Sequence, residues 1–146
     1  VADKGCPYVL THSRGNSKTM DSLAKYTNVI NDVKKELSNQ IDLALSEGIK
    51  KEQIIIDPGI GFAKNVEQNL NLLKNLEEFV SMNYPVLIGA SRKRFIGKVI
   101  NETDPTKRIF GTAAVASRCV IAGVDFLRVH DIKQISQVII MTKSII

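Results

Sequence analysis

The stretch Ile54-Ile-Ile-Asp57-Pro-Gly-Ile-Gly-Phe62 carries the pattern that decides the fold. It consists of a short apolar run, an acidic residue and a turn that is rich in proline and glycine. A continuous apolar run of this length is typical of a buried parallel strand, because both faces of such a strand are covered. Two further stretches repeat the pattern and end in basic residues or histidine: Val86-Leu-Ile-Gly-Ala-Ser91-Arg-Lys93-Arg94 and Phe126-Leu-Arg128-Val-His130-Asp131.

Segments with helical periodicity separate these strands. The sequence predicts strands at 8–12, 53–56, 86–89 and 125–129, helices at 21–47, 65–80, 106–122 and 132–144, and an irregular segment between 90 and 105. Strict alternation of strands and helices requires a parallel sheet with right-handed crossovers. Two architectures satisfy this requirement, a small open sheet and part of a (β/α)8 barrel. A whole barrel needs about 250 residues, so four β/α units would form half of one.

Composition limits the class of protein. With 146 residues, of which 44% are hydrophobic and 24% charged, the chain has the make-up of one domain with a real core. No stretch approaches the roughly 18 apolar residues of a membrane span, and the start lacks the features of a signal peptide. We therefore expect a soluble, cytoplasmic protein without a membrane partner, and an organelle remains open if a transit segment precedes Val1.

The net charge of +5 does not by itself indicate a nucleic-acid partner. The basic residues alternate with acidic ones along the predicted helices, so that no continuous basic surface is expected. The sequence therefore predicts no nucleic-acid binding, and an anionic small molecule remains compatible with the charge.

The polar residues that follow the strands predict a ligand site, because ligands of β/α proteins bind at the carboxyl ends of the strands. Asp57 could accept two parallel hydrogen bonds from the donor edge of a pterin or guanine ring. The alternative is that it only caps the turn before Pro58. The bases of the segment 91–94 could bind an anion or a ring carbonyl at the start of a helix, or they could form a solvated run of charges.

Arg128 and His130 are two residues apart in an apolar segment, so their side chains should face the same way. A single histidine on a strand is often a satisfied core residue. Its pairing with arginine, after the last strand, indicates phosphate binding instead, because the loops after the last two strands are the usual phosphate site of β/α barrels.

Together, these motifs resemble the C-terminal half of the dihydropteroate synthase family, the folate-pathway enzymes that sulfonamides inhibit. The matching stretches span almost the whole chain in the family's order: Tyr8-Val-Leu-Thr-His12-Ser-Arg-Gly15 through Thr19-Met20, Asp57 through Asn65, Gly89 through Gly97, Arg108 with Gly111-Thr112, and Arg128-Val-His-Asp131. The resemblance implies a pterin-binding α/β barrel of the (β/α)8 TIM type. Residues 1–146 would supply its strands five to eight, and its N-terminal half would be absent.

The resemblance also implies roles for individual residues. Catalytic roles fall on Asp57, Lys93, Arg128 and His130, and substrate contacts fall on these four together with Phe62, Gly89, Ser91 and Arg94. Asp57 would hold the donor edge of the pterin, and Lys93 would contact both the pterin and the aminobenzoate. Arg94 stands where the family often has serine, and Thr11 where many members have methionine.

The implied reaction joins p-aminobenzoate to 6-hydroxymethyl-7,8-dihydropterin pyrophosphate and gives 7,8-dihydropteroate and pyrophosphate. Mg²⁺ would accompany the pyrophosphate, with its protein ligand in the N-terminal half and no metal ligand in this chain. The complete enzyme is expected to be a homodimer, and fusion to other folate enzymes stays open. Half a barrel leaves two open sheet edges, so the isolated chain is expected to have little or no activity.

Three other interpretations remain at this point. The chain could be a noncatalytic pterin-binding or assembly module that needs a partner half. It could belong to a pterin-dependent methyltransferase with the same type of barrel. It could also be an unrelated open α/β sheet that binds a nucleotide.

Overall fold

The computed structural model describes residues 1–146 and confirms the alternation of strands and helices. The strands are β1 (Tyr8–Thr11), β2 (Ile54–Asp57), β3 (Leu87–Ile88) and β4 (Phe126–Leu127). The helices are α1 (Val29–Ser46), α2 (Val66–Lys74), α3 (Glu77–Val80), α4 (Arg94–Ile100), α5 (Ile109–Ile121) and α6 (Ile132–Ser144). Short 3-10 turns lie at Ala2–Lys4, Met20–Leu23, Lys51–Gln53 and Pro105–Lys107. None of the helices has both the length and the apolar character that a transmembrane span requires.

All strand pairings are parallel, and the spatial order of the strands follows the chain. β1 pairs with β2, and β3 pairs with β4. A single parallel bridge between Ile56 and Val86 joins the two pairs, and the N–H of Ile56 donates to the carbonyl of Pro85 at 2.8 Å. A β/α barrel is built in this sequential order, whereas a doubly wound open sheet places later strands on both sides of the first.

The two faces of the sheet have different roles. One face packs against the helices and forms the core with buried side chains: Leu10, Ile54, Ile56, Val86 and Ile88 from the strands, and Val33, Leu37, Leu72, Leu76 and Phe79 from the helices. The opposite face is more open, and its Val9 and Phe126 remain 40% and 47% exposed. Because side chains alternate along a strand, this open face also carries the residues at the carboxyl ends of the strands: Thr11, Asp57, Gly89 and Arg128.

The prediction of one helix over 21–47 is wrong at its beginning. Residues 20–23 form a 3-10 turn, and α1 starts only at Val29. Asn28 ends the irregular segment, because its side-chain oxygen accepts hydrogen bonds from the N–H groups of Ile30 and Asn31, both at 3.1 Å. An asparagine that satisfies the free amides of a first turn is a strong helix start, and this signal was overlooked in the sequence.

Three other boundaries also differ from the prediction. The helix predicted over 65–80 is divided at Asn75, whose backbone leaves the helical region at φ −120°. The segment predicted as irregular contains α4. The helix predicted from 106 begins only at Ile109, because Asp104 caps a 3-10 turn by accepting from the N–H of Thr106 at 2.9 Å.

Candidate functional site

Asp57 lies at the carboxyl end of β2 and is buried. One carboxylate oxygen accepts the N–H of Gly59 at 2.8 Å, and the other accepts the hydroxyl of Thr11 at 3.3 Å. Burial raises the pKa of Asp57, and this effect is opposed by the Gly59 hydrogen bond and by the positive charge of Lys93. Each carboxylate oxygen has a lone pair left, so the group can still accept two hydrogen bonds from a ligand.

The turn after Asp57 depends on a glycine. Gly59 has φ +70°, and a Cβ atom at this position would lie 1.9 Å from the backbone oxygen of His12. No other residue fits this combination of left-handed backbone and close approach. The turn therefore runs tightly against β1 and leads to Phe62 and to the carbonyl of Ile60, which accepts from the ammonium of Lys93.

Lys93 directly precedes α4, and its side chain lies across this turn. Its Nζ is 4.2 Å from the centre of the Phe62 ring, which is the geometry of a cation–π contact. Burial lowers the pKa of Lys93 to about 8, with Asp57 acting against this shift and Arg128 adding to it. Lys93 thus offers a partly desolvated positive charge next to a buried carboxylate.

Arg128 follows β4, where its N–H continues the sheet by donating to the carbonyl of Ile88 at 3.0 Å. Its guanidinium passes over Gly89, since a Cβ atom at Gly89 would be 3.0 Å from Nη2. Its positive charge acts on both Asp57 and Lys93. The structure therefore brings five of the predicted site residues to one edge of the sheet: Asp57, Phe62, Gly89, Lys93 and Arg128.

His130 and Ser91 form a second contact at the same edge. The buried hydroxyl of Ser91 accepts the N–H of His130 at 3.2 Å and lies 3.0 Å from Nδ1 of the same residue. Because its oxygen already accepts from the backbone, the hydroxyl can donate its own hydrogen to Nδ1, and the neutral ring then carries its hydrogen on Nε2.

An ion pair between Arg92 and Asp131 lies beside this contact. Arg92, which has φ +59°, donates from Nε to the carboxylate of Asp131 at 3.0 Å. Asp131 directly precedes α6, but its side chain makes no capping hydrogen bond. It joins the loop after β3 to the loop after β4 instead.

A cavity of about 740 Å³ adjoins Lys93, between the loop after β1 and α4. Six basic residues line it: Lys64, Arg92, Lys93, Arg94, Lys98 and Arg108. Its single acidic residue, Asp21, accepts from Arg94 at 3.3 Å across the opening. A surplus of positive charge in a concave site suits an anionic small molecule.

A group of buried polar residues next to Asp57 was missed in the sequence. The ammonium of Lys64 is hydrogen-bonded to the ring of His12, which in turn contacts Glu36 of α1. Burial lowers the pKa of Lys64 to about 7 and, with the charge of Lys64 adding to the effect, that of His12 to about 4. The available signal was that His12 ends a predicted strand and Lys64 lies in the loop after the next strand, which is where the recognised site residues also stand.

No three histidine, cysteine, aspartate or glutamate side chains come close enough together to hold a metal ion. The charged groups that act on Asp57 are Lys93 and Arg128 rather than further carboxylates, which are the ligands that Mg²⁺ prefers. The residues of this chain therefore do not fit a magnesium site by themselves.

Sequentially ordered parallel strands with charged side chains at their carboxyl edge define a ligand-binding protein of the β/α-barrel class. Residues 1–130 match the family model described as pterin binding enzyme, and the chain belongs to that family. A dihydropteroate synthase of Synechocystis is 44% identical over 138 residues, which cover 94% of this chain and 48% of that protein. The chain spans about half the length of the curated bacterial relatives that it matches.

Solved structures show the same relationship. Dihydropteroate synthase from Thermus thermophilus in complex with 6HMPPP superimposes with a TM-score of 0.93 at 38% identity, covering 98% of this chain and 57% of the other. The Yersinia pestis enzyme with a sulfonamide drug gives a TM-score of 0.94 at 31% identity, covering 98% and 52%. The predicted barrel-type fold is thereby confirmed, with this chain as part of a barrel, and the unrelated open sheet is wrong.

Proposed function

We propose that this chain forms the C-terminal half of a dihydropteroate synthase domain, which condenses p-aminobenzoate with 6-hydroxymethyl-7,8-dihydropterin pyrophosphate. The observation that carries the proposal is the buried carboxylate of Asp57 beside Lys93 and Arg128 at the carboxyl edge of the sheet. The Thermus thermophilus enzyme has been solved with 6HMPPP and with 4-aminobenzoate, which supports both substrates.

In this proposal, the pterin binds between Asp57 and the two neighbouring cations. The carboxylate accepts a ring N–H and the exocyclic amine, while Arg128 stacks on the ring and Lys93 donates to a ring acceptor. When the bond to the pyrophosphate breaks, positive charge develops on the pterin methylene group and spreads into the ring. A carboxylate at the donor edge stabilises that charge in the transition state more than in the ground state.

The leaving pyrophosphate gains negative charge at the same step. Arg128 and the Nε2–H of His130 would donate charge-assisted hydrogen bonds to it. The attacking amine of p-aminobenzoate is neutral near pH 7 and carries an available lone pair. The reaction therefore needs no general base from this chain.

The basic cavity is the proposed place of the aminobenzoate. Its carboxylate would take the position of Asp21 opposite Arg94 or bind the free amides at the start of α4. Lys93 lies between this cavity and the Asp57 cluster, so it can contact both substrates. The complex of the Yersinia pestis enzyme with a sulfonamide drug suggests that this site is also open to sulfonamides.

Other properties of the complete enzyme follow from the resemblance and are part of the same proposal. It would be a cytoplasmic homodimer that binds small molecules rather than nucleic acid or membranes. Residues 1–146 would be the second half of one barrel domain. Mg²⁺ would be bound through residues outside this chain, and no step here is derived through it.

The test is a chimera in which this chain replaces the aligned 138 residues of the Synechocystis enzyme. We expect the chimera to form 7,8-dihydropteroate, and Asp57→Asn to raise KM for the pterin substrate and lower kcat/KM by at least about 100-fold. Asp42→Asn, an exposed acid on α1, is the matched control and should have no effect. Pterin binding without turnover would favour a noncatalytic module, and turnover without aminobenzoate, with a methyl donor, would favour a methyltransferase.

A further inference from the structure

Lys64 is a buried cation beside the Asp57 turn, and the mechanism proposed above does not use it. We propose that Lys64 is a positioning residue for pterin binding, and that together with His12 it fixes the turn between Asp57 and Phe62. This inference rests on the proposed function, because it assigns a role toward the same ligand. Lys64 also lines the basic cavity, but its ammonium group is directed at acceptors within the protein, so it acts through the backbone of the turn rather than by binding a substrate.

The geometry of the ammonium group carries the first step. Nζ of Lys64 lies 3.1 Å from the carbonyl oxygen of Gly59, 2.9 Å from that of Phe62 and 3.0 Å from Nδ1 of His12. An ammonium group has three hydrogens, and each of them meets one acceptor. The two carbonyl groups belong to opposite ends of the turn. Lys64 therefore ties the two ends of the turn to each other, while Lys93 donates to the carbonyl of Ile60 between them.

The hydrogen-bond partners of Lys64 indicate what its buried charge stabilises. It is only 7% exposed, and a buried lysine is costly unless its hydrogens are all bonded. The other charged groups that act on it are Asp57, Lys93, Glu36 and Arg14, two acids and two bases. Its bonding partners, however, are backbone oxygens and a ring nitrogen rather than a carboxylate. The ammonium thus supports the backbone and does not merely neutralise an acid.

His12 transmits this support to the rest of the site. Its Nδ1 accepts from Lys64, so Nε2 carries the hydrogen and donates to Glu36 at 2.9 Å. Its backbone N–H donates to the carbonyl of Asp57 at 2.8 Å. His12 is therefore hydrogen-bonded both to Asp57, which would hold the pterin, and to Lys64, which holds the turn.

The chain of hydrogen bonds from Lys64 through His12 and Glu36 continues into the loop after β1. Glu36 also accepts from Arg14, whose guanidinium lies 3.9 Å above the ring of Tyr26 and donates to the carbonyl of Lys25. This loop carries Met20 and Asp21, which line the basic cavity. The polar chain of buried Lys64 and His12 and partly exposed Glu36 and Arg14 thus links the turn that bears Asp57 to the wall of the second proposed substrate site.

The experiment compares Lys64→Met with Lys74→Met in the chimera described above. Lys74 is an exposed lysine at the end of α2 whose side chain makes no hydrogen bond. We expect Lys64→Met to raise KM for the pterin pyrophosphate at least about tenfold, because misplacing Asp57 weakens pterin binding. KM for p-aminobenzoate should stay within about threefold, because five other basic residues still line the proposed aminobenzoate cavity. Lys74→Met should leave both constants unchanged.

The split between the constants separates positioning from a purely structural role. If Lys64 only stabilised the fold, fewer molecules would be active, so kcat would fall while both KM values stayed constant. A pterin KM within about threefold of the parent would overturn the inference, whatever happens to kcat. If Lys64→Met does not fold, His12→Gln takes its place, with at least about a threefold rise in pterin KM expected and an unchanged value as the contrary result.

The parent chimera distinguishes this inference from the proposed function. If the parent does not bind the pterin pyrophosphate, the proposed function is wrong and this inference is wrong with it. If the parent binds it and both variants bind equally well, only the role of Lys64 and His12 is wrong.

Discussion

Gly59 and Gly123 have similar left-handed backbones but different surroundings. A Cβ atom at Gly59 would collide with the backbone of His12, whereas at Gly123 the nearest atom would be Cγ1 of Val80 at 3.9 Å. We expect Gly123→Ala to lower the free energy of unfolding by about 1 kcal/mol through backbone strain alone, and Gly59→Ala to lower it by at least about 3 kcal/mol. Urea unfolding of both variants measures the difference, and equal losses would contradict the packing described for the turn.

The buried ring of His12 predicts a dependence of stability on pH. Burial lowers the pKa of His12 to about 4 in the folded chain, against 6.5 for an ordinary histidine. Between these values the unfolded chain binds a proton that the folded chain does not. The free energy of unfolding should therefore decrease by about 3 kcal/mol as the pH falls from about 6.5 to about 4, and His12 should contribute no slope above about 6.5.

His12→Gln isolates this contribution from that of other groups. Lys64 has a pKa of about 7 in the folded chain and is therefore mostly charged in both states below about pH 6, so it adds little slope there. Glu36 adds a slope of the same sign, since the hydrogen bond from Arg14 lowers its pKa. Urea midpoints at about pH 6 and about pH 4.5 should converge in the variant relative to the parent, and parallel losses in both proteins would refute the assignment.

At the scale of single residues, the sequence predicted which side chains meet at the carboxyl edge of the sheet. This proximity depends on the alternation of side chains along each strand and on the parallel pairing of the strands. Asp57 and Arg128 come to one edge since each follows a strand with the same orientation. The sequence could not predict the partners of Lys64, because that lysine reaches a histidine 52 positions away. Such a contact is determined by how β1 lies beside β2, which no local pattern contains.

The loops that follow β3 and β4 are joined by the contact between Ser91 and His130 and by the ion pair between Arg92 and Asp131. The first of these contacts leads to a testable prediction. We expect Ser91→Ala to free the ring of His130 and to weaken pyrophosphate binding by the chimera about threefold to tenfold, as for the loss of one hydrogen bond. Ser136→Ala, which removes a hydroxyl bonded only within α6, is the control.

A spectroscopic measurement completes this test. The ¹⁵N chemical shifts of His130 report which ring nitrogen carries the hydrogen. In the parent, Nδ1 should have the shift of an acceptor, and in Ser91→Ala the two tautomers should mix. Unchanged ¹⁵N chemical shifts of His130 in the variant would show that Ser91 does not orient the ring. The role of Ser91 as a direct substrate contact stays a prediction in either case.

At the scale of elements, the sequence predicted the order and type of every long element but not all of their ends. Periodicity averages over many residues, whereas an end is decided by one or two contacts, such as those of Asn28 and Asp104. The bounds of α4 were not predicted, and it fell within the segment described as irregular, because its seven residues are too few for a periodic signal. β3 and β4 span two residues each and are shorter than the predicted strands at 86–89 and 125–129, so an apolar run does not by itself determine where a strand ends.

The whole molecule presents half of a barrel-type site, and its open sheet face leads to a prediction about activity. Val9, Phe126 and the edges of β1 and β4 lack covering elements in this chain. We expect the 146-residue chain alone to form 7,8-dihydropteroate at least about 100 times more slowly than the chimera, because substrate groups would lack part of their enclosing contacts. Comparable rates would show that residues 1–146 suffice for catalysis.

The sequential strand order also bears on how such a chain acquires its shape during synthesis. Each strand pairs with the strand made just before it, so no segment has to wait for a distant one to emerge from the ribosome. Loop-closure entropy then rises in small steps rather than in one large one. Nascent β/α units can therefore accumulate one after another, each using its predecessor as a template.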